Sequence, residues 1–357
     1  MARQTYLPQI LLVLAVAGCG GNEPMAQNGQ NSKPISSGEV PGVNPSAKQV
    51  QGADLNDALV AIKDLPGTTD EVVEGTRRFN GWFFKANRIT FKSGSTLLFT
   101  KQALENRRQF FVIAKEIIVE DQNSPGTITW EKGTTADAPA SNGQAGNGQD
   151  GSGAGGGGLA GNPGVSGDLG YAGSDAPSVV LLVMTLPSSG PTVDLSGQKG
   201  GKGGKGQKGG TGGHGAKGND ASQNGFNCNR GAGNGGPGGS GGSGGTGGAG
   251  GRGGSGGTFT LISSTDKLPS LSQKFRVQVS GGPGGETGDG GFGGDGGTGG
   301  DGGGQQLPYC RGDGSRGATG GSGSPGTVGA VGPTGAAGDF LVGGITDDQF
   351  KTYVWAR

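Results

Sequence analysis

The sequence predicts a mainly β chain. Short parallel strands form successive coils of a solenoid, and extended glycine-rich hairpins inserted between coils pack together as a bundle. Three observations carry this. Of 357 residues, 88 are Gly, about a quarter of the chain, where roughly 7% is usual. Gly recurs at every third position through 197–218, 233–257, 281–303 and 314–338, a phase that a flexible Gly/Ser linker has no reason to keep. Between these tracts lie short runs rich in Val, Ile, Leu, Phe and Thr, bounded by Gly, Ser or Pro, as strands are.

Composition narrows the function. Lys+Arg and Asp+Glu balance at 28 each, so no global charge favours nucleic acid or an anionic membrane surface. Hydrophobic residues make up 30% and cluster in short runs, which argues against one large globular core and for thin stacked layers.

The first element is an address. In 1–19, MARQTYLPQILLVLAVAGC, a short basic start precedes an apolar run from Ile10 to Ala17. That run is too short to span a bilayer and has the length of a signal-peptide core. Its end, Val16-Ala17-Gly18-Cys19, resembles the lipobox of bacterial lipoproteins. The resemblance implies acylation of Cys19, a membrane partner through the lipid anchor, and, with Gly20 rather than Asp following, an outer-membrane, surface-exposed location. Residues 20–50 are Gly, Asn, Gln, Ser and Pro with few large apolar residues. They read as a disordered tether reaching roughly 30 Å as a coil.

Residues 51–132 read as an N-terminal cap, with a short helix or irregular structure over 51–78, followed by the first solenoid coils. The strand-like pieces are Trp82–Ala86 with Arg88–Thr100, then Phe110–Val119 with Thr127–Trp130. Over 133–338 Gly-rich tracts alternate with Ser178–Leu186 and Thr192–Leu195, then Thr258–Ser263 and Phe275–Val279. A fifth tract, 143–173, keeps the three-residue phase with interruptions at Gln149 and Ser152. Residues 339–357 form a C-terminal β segment around Phe340–Val342. NRITFKSGSTLLFT and KEIIVEDQNSPGTITW share a strand–turn–strand spacing similar to coils of a right-handed parallel β-helix.

A period of three is that of the polyproline-II-type helix, about 3.1 Å per residue. In 233–257 two of the three faces are all Gly, so backbones can approach on both. This pattern resembles the polyglycine-II bundles of springtail antifreeze proteins and phage tail-tip adhesins. Tract 314–338, with Gly on one face, is collagen-like. Short, matched tracts of roughly 70 Å favour a bundle within one chain, and a monomer, over a collagen-like trimer, which the sequence leaves open.

Paired tracts place two tips, 219–232 and 304–313. Cys228 lies in one and Cys310 in the other, the two Cys that remain if Cys19 carries lipid. In an exported compartment they are expected to pair. Phe226, Leu307, Tyr309, Arg311 and Asp313 are the candidate contact residues at the tips, the last two within an Arg-Gly-Asp triplet. Lys199, Lys202, Lys205, Lys208 and Lys217 form a basic stripe, and Glu286, Asp289, Asp295 and Asp301 an acidic one. The stripes either pair between hairpins, grip an anionic glycan, or simply face water.

His214 is the only His, without a partner motif, so no triad, metal site or cofactor is expected. The function expected is structural and adhesive rather than enzymatic: a surface lipoprotein whose tip loops touch a surface, glycan or receptor, with no nucleic acid as partner. The alternatives are a polysaccharide-acting β-helix enzyme, a trimeric collagen-like fibre and an ice-binding protein.

Overall fold

The computed structural model describes residues 44–50, 55, 58–60, 62–141 and 143–355. Cys19, the signal segment and most of the tether fall outside these. The chain is mainly β, with parallel sheets and few helices. Its strands are β1 (Ala47–Gln49), β2 (Thr68–Val73), β3 (Thr76–Phe79), β4 (Phe83–Phe91), β5 (Thr96–Phe99), β6 (Gln109–Val119), β7 (Thr127–Trp130), β8 (Ser178–Thr185) and β9 (Thr192–Asp194). There follow β10 (Ser222–Gln223), β11 (Cys228–Arg230), β12 (Phe259–Ser264), β13 (Arg276–Gln278) and β14 (Phe340–Ile345), and helices α1 (Lys101–Asn106), α2 (Leu268–Ser272) and α3 (Asp347–Val354) lie among and after them. One seven-stranded sheet has the order β1-β14-β12-β8-β6-β4-β2, and a five-stranded sheet has β13-β9-β7-β5-β3. The chain passes from one sheet to the other and back, each pair of strands stacking in parallel on the last.

The core lies between the sheets. Alternate residues of the long strands fill it: Ile89 and Phe91, then Phe110, Val112 and Ala114, then Val179, Leu181 and Val183, then Phe259 and Leu261. Phe99 stacks on Phe110 with centroids 4.4 Å apart. The other face of the seven-stranded sheet is apolar as well. Phe111, Ile113, Val180, Leu182 and Ile262 meet Leu59 and Ile62 and, from helix α3 (Asp347–Val354), Phe350 and Val354. Strands covered on both faces read as continuous apolar runs, as in VVLLVM within β8.

Several boundaries differ from those read in the sequence. The expected cap over 51–78 contains β2 and β3, a first pair of strands; their alternation is masked by exposed Thr, Asp, Glu and Arg at the sheet edge. β4 runs unbroken from Phe83 to Phe91, where the sequence reading divides Trp82–Ala86 from Arg88–Thr100; the turn at 92–95 falls between the two strand pieces of NRITFKSGSTLLFT, as its spacing predicts. The tether expected to 50 gives up Ala47–Gln49, which pair with Phe340–Val342. The C-terminal segment adds α3, opened by a capping box of Thr346 and Gln349,.

The Gly-rich tracts form six legs that continue the sheets. Legs 1 (134–141 and 143–151), 3 (197–218) and 5 (281–303) follow β7, β9 and β13, and legs 2 (156–177), 4 (233–257) and 6 (314–338) lead into β8, β12 and β14. Odd legs form one layer and even legs the other. Within each layer the bonds are parallel and run one way, as in Gly203 N–H to Glu286 O at 3.0 Å and Gly238 N–H to Ala318 O at 2.9 Å. Between layers they are antiparallel: Gly245 N–H donates to Gln207 O and accepts, through its own carbonyl, from Gly291 N–H, both at 2.8 Å. The expected single tract 143–173 is instead a hairpin, legs 1 and 2. Its turn uses Gly153 and Gly155 at φ +72° and +71°, a conformation that Gly adopts without penalty.

Interior legs need Gly for close approach. A Cβ on Gly245 would sit 1.9 Å from Val165 O. The edge legs carry side chains instead: Leu159, Val165 and Tyr171 on leg 2, Val328 and Val331 on leg 6, all exposed. A further leg at interior spacing would meet these side chains, so the array stops at six. The base is pinned by Asp194, which accepts from Lys132 Nζ at 2.8 Å and from Ser196 N–H and Oγ–H at 3.0 and 2.6 Å. Burial pushes its carboxyl pKa up, but those bonds more than offset this and hold it below the ordinary value,.

Gly245→Ala is expected to lose about 1–3 kcal/mol or more, as overpacking does. Gly321→Ala, which meets nothing within 4 Å, is expected to be neutral or stabilising by about 0.4–1 kcal/mol. Chemical unfolding of the two variants checks this, and equal losses would contradict the close-packed interior.

Candidate functional site at the hairpin tips

The far end of the array is built from the loops joining legs 3 to 4 and 5 to 6. In the first, β10 and β11 pair antiparallel, with Ser222 opposite Arg230 and Gln223 opposite Cys228. Asn224 makes the turn: its side-chain carbonyl accepts from Phe226 N–H at 3.0 Å and Asn227 N–H at 2.7 Å. Short Asx turns of this kind are strong local organisers. In the second loop, Gln306 and Cys310 exchange two backbone bonds at 2.9 Å. The Cys228–Cys310 disulfide joins the loops, with Cα atoms 4.9 Å apart and 82 residues of separation.

Gln223 adds a polar clamp between the loops. Its N–H donates to Gln306 Oε1 at 2.9 Å, its Nε2 donates to Leu307 O at 2.7 Å, and its Oε1 accepts from Tyr309 N–H at 3.0 Å. Asp220 closes the neck. Its Oδ1 accepts from Lys217 Nζ and from Gly304 N–H, both at 2.7 Å. The Lys217 bond first, then the Gly304 bond, holds its carboxyl below the usual carboxylate range,.

These supports leave three large apolar side chains in water: Phe226 is 83% exposed, Leu307 59% and Tyr309 47%. The Arg-Gly-Asp triplet is not presented as a free tripeptide. Asp313 Oδ1 accepts from Gln305 N–H at 2.7 Å, Gly312 N–H donates to Gln305 Oε1 at 3.1 Å, and Arg311 Nε donates to Pro308 O at 3.3 Å. Sequence reasoning found the cysteines and the apolar residues but missed Gln223, Asp220 and Asn224. Asn224-Gly225 was a usable turn signal; the reach of Gln223 into the other loop had none.

The basic and acidic stripes lie side by side on the outer face of the odd layer. Lys199 pairs with Glu286 at 2.6 Å, Lys202 with Asp289 at 3.5 Å and Lys208 with Asp295 at 3.2 Å. Lys205 Nζ stands 4.7 Å from the Phe292 ring centroid, and His214 Nδ1 shares a 2.7 Å bond with Thr298 Oγ1. The side-chain bond from Lys199, then its charge, lowers the Glu286 pKa. Among the described residues no group of three or more His, Cys, Asp or Glu could hold a metal ion. No helix among them is long and apolar enough to cross a membrane.

No protein-family model matches the chain, and no curated protein matches it. Among solved structures it is similar to the nine polyproline type II helical bundle springtail antifreeze protein from Granisotoma rainieri, at 27% identity over 53% of this chain and 96% of that one. The TM-score is 0.09, and at that score the likeness carries no argument about this chain.

Replacing both Cys228 and Cys310 by Ser is expected to lower stability by about 4 kcal/mol, the entropy of closing an 82-residue loop,. Thermal melts with and without reductant check it: the native chain should melt earlier when reduced and the double variant should not respond.

Proposed function

We infer that the protein is a cell-surface lipoprotein with a structural, adhesive role. On this reading the stacked parallel strands are a β-helix-like solenoid, and the six legs are a polyglycine-II bundle held off the outer membrane by the lipid on Cys19 and the tether. The bundle is a stiff arm, and the tips make contact with a glycan or surface receptor.

One observation carries this reading. The most exposed large apolar side chain among the described residues, Phe226, stands with Leu307 and Tyr309 at the end of the arm, on loops fixed by a disulfide and a shared glutamine. Exposed apolar groups on a rigid scaffold are what a binding loop needs, because little freedom remains to be lost on contact. The Phe226 and Tyr309 side chains belong to neither buried cluster, so core packing does not explain them. The ion-paired stripes leave the flank with compensated charge, which favours the tips over the basic stripe as the contact.

Phe226→Ala and Tyr309→Ala are expected to reduce binding of the soluble labelled protein to whole cells or isolated envelope material at least tenfold, with unchanged melting temperatures. Undiminished binding in both variants would remove the tips as the contact site.

A further inference from the structure

Away from the tips, Lys85 is a nearly buried cation with few partners. It lies on β4, facing away from the main core, and is 9% exposed. Its ammonium has three donors and, among the described residues, one hydrogen bond, to Leu65 O at 2.8 Å. Burial pulls its pKa below the ordinary lysine value, and Asp64 acts in the other direction through space. A buried ammonium with donors to spare is costly unless an acceptor meets it.

Trp355 lies beside it, just past α3. Lys85 Nζ is 5.4 Å from the indole centroid and Lys115 Nζ 4.5 Å. The indole Nε1 is buried and has no acceptor among the described residues, although it can only donate. Lys85 and Trp355 line one cleft of about 510 Å³, together with Lys63, Asp64, Thr68 and Thr69. Three ammonium groups, those of Lys63, Lys85 and Lys115, thus line or flank a recess whose lining includes a single carboxylate. Leu65 adds an apolar edge to a lining that is otherwise largely polar.

We propose that this cleft binds a small organic carboxylate, with one oxygen on the Lys85 ammonium, the other on the Trp355 indole N–H, and its apolar part against Leu65. An ammonium with donors beyond its Leu65 bond and an indole N–H without an acceptor among the described residues belong to one recess, which suits the two oxygens of a carboxylate. The surplus of cations supplies the attraction, and Thr68 and Thr69 offer hydroxyls to further polar atoms of the ligand.

The test is a titration of the full chain with sodium benzoate at constant ionic strength, followed through the indole N–H resonances of Trp82, Trp130 and Trp355. Trp355→Phe assigns the third signal. A saturable shift confined to Trp355 is expected, with Lys85→Met weakening it at least tenfold and Lys85→Arg retaining it in part. Should Lys85→Met fail to fold, Lys115→Met is expected to weaken binding about threefold. A shift unaffected by Lys85→Met, or an equal one with inorganic phosphate, would overturn the assignment. So would an indole already hydrogen-bonded without benzoate and indifferent to it.

Discussion

The contact on which the molecule depends is a glycine N–H meeting a carbonyl on a neighbouring leg with no Cβ between the backbones. In legs 3 and 4 two of every three N–H groups make such a bond, and added Cβ atoms would come within about 2 Å of facing oxygens. The energetics are narrow. Ordering a residue costs about 1–2 kcal/mol of backbone entropy, and Gly loses more than any other residue. A net hydrogen bond returns about 0.5–1.5 kcal/mol. The array therefore does not sustain itself by hydrogen bonds alone. Close packing adds dispersion, and both ends are held: the base by strands that continue into the sheets, the tip by Cys228–Cys310.

That arrangement also explains where side chains can carry specificity. Rows between legs are nearly all Gly, with Gln198, Gln207 and Ala216 as departures in leg 3, so variety is concentrated on the outer faces, the edges and the tips. On the odd face the rows pair into a ladder of Lys with Asp and Glu, all largely exposed. Such pairs add little stability singly, but they are in register along two legs separated by a long stretch of sequence. Like charges opposite one another would penalise a slipped register. Chemistry that needs larger groups has only the loops and the strand-built base, which hold the tip residues and the Lys85 cleft.

Much of this was legible because period three and period two differ so plainly. The phase of Gly in 197–218 and 233–257 fixed which residues face outward, and two cysteines placed at opposite tips gave their pairing. Errors arose where the local pattern was weak. β2 and β3 are edge strands with Thr, Asp, Glu and Arg, so alternation was hidden. Tract 143–173 kept its phase while reversing direction, since Gly serves both a leg and a turn. The Lys85 cleft joins residues near 65, at 85 and at 355, a meeting set by strand stacking and by α3, with no local signal.

Amide hydrogen exchange resolved by residue tests the packing of the legs within one chain most directly. Two of every three amides should be protected in leg 4, with Asn234, Ser240, Ser243, Thr246 and Ala249 exchanging fast. In leg 6 the Gly row from 314 to 338 should be protected, together with Ser315, whose N–H donates to Asn234 Oδ1 at 2.9 Å, at any protein concentration. Protection of one amide in three in both legs, lost on dilution, would mean a collagen-like trimer and would contradict the six-leg array.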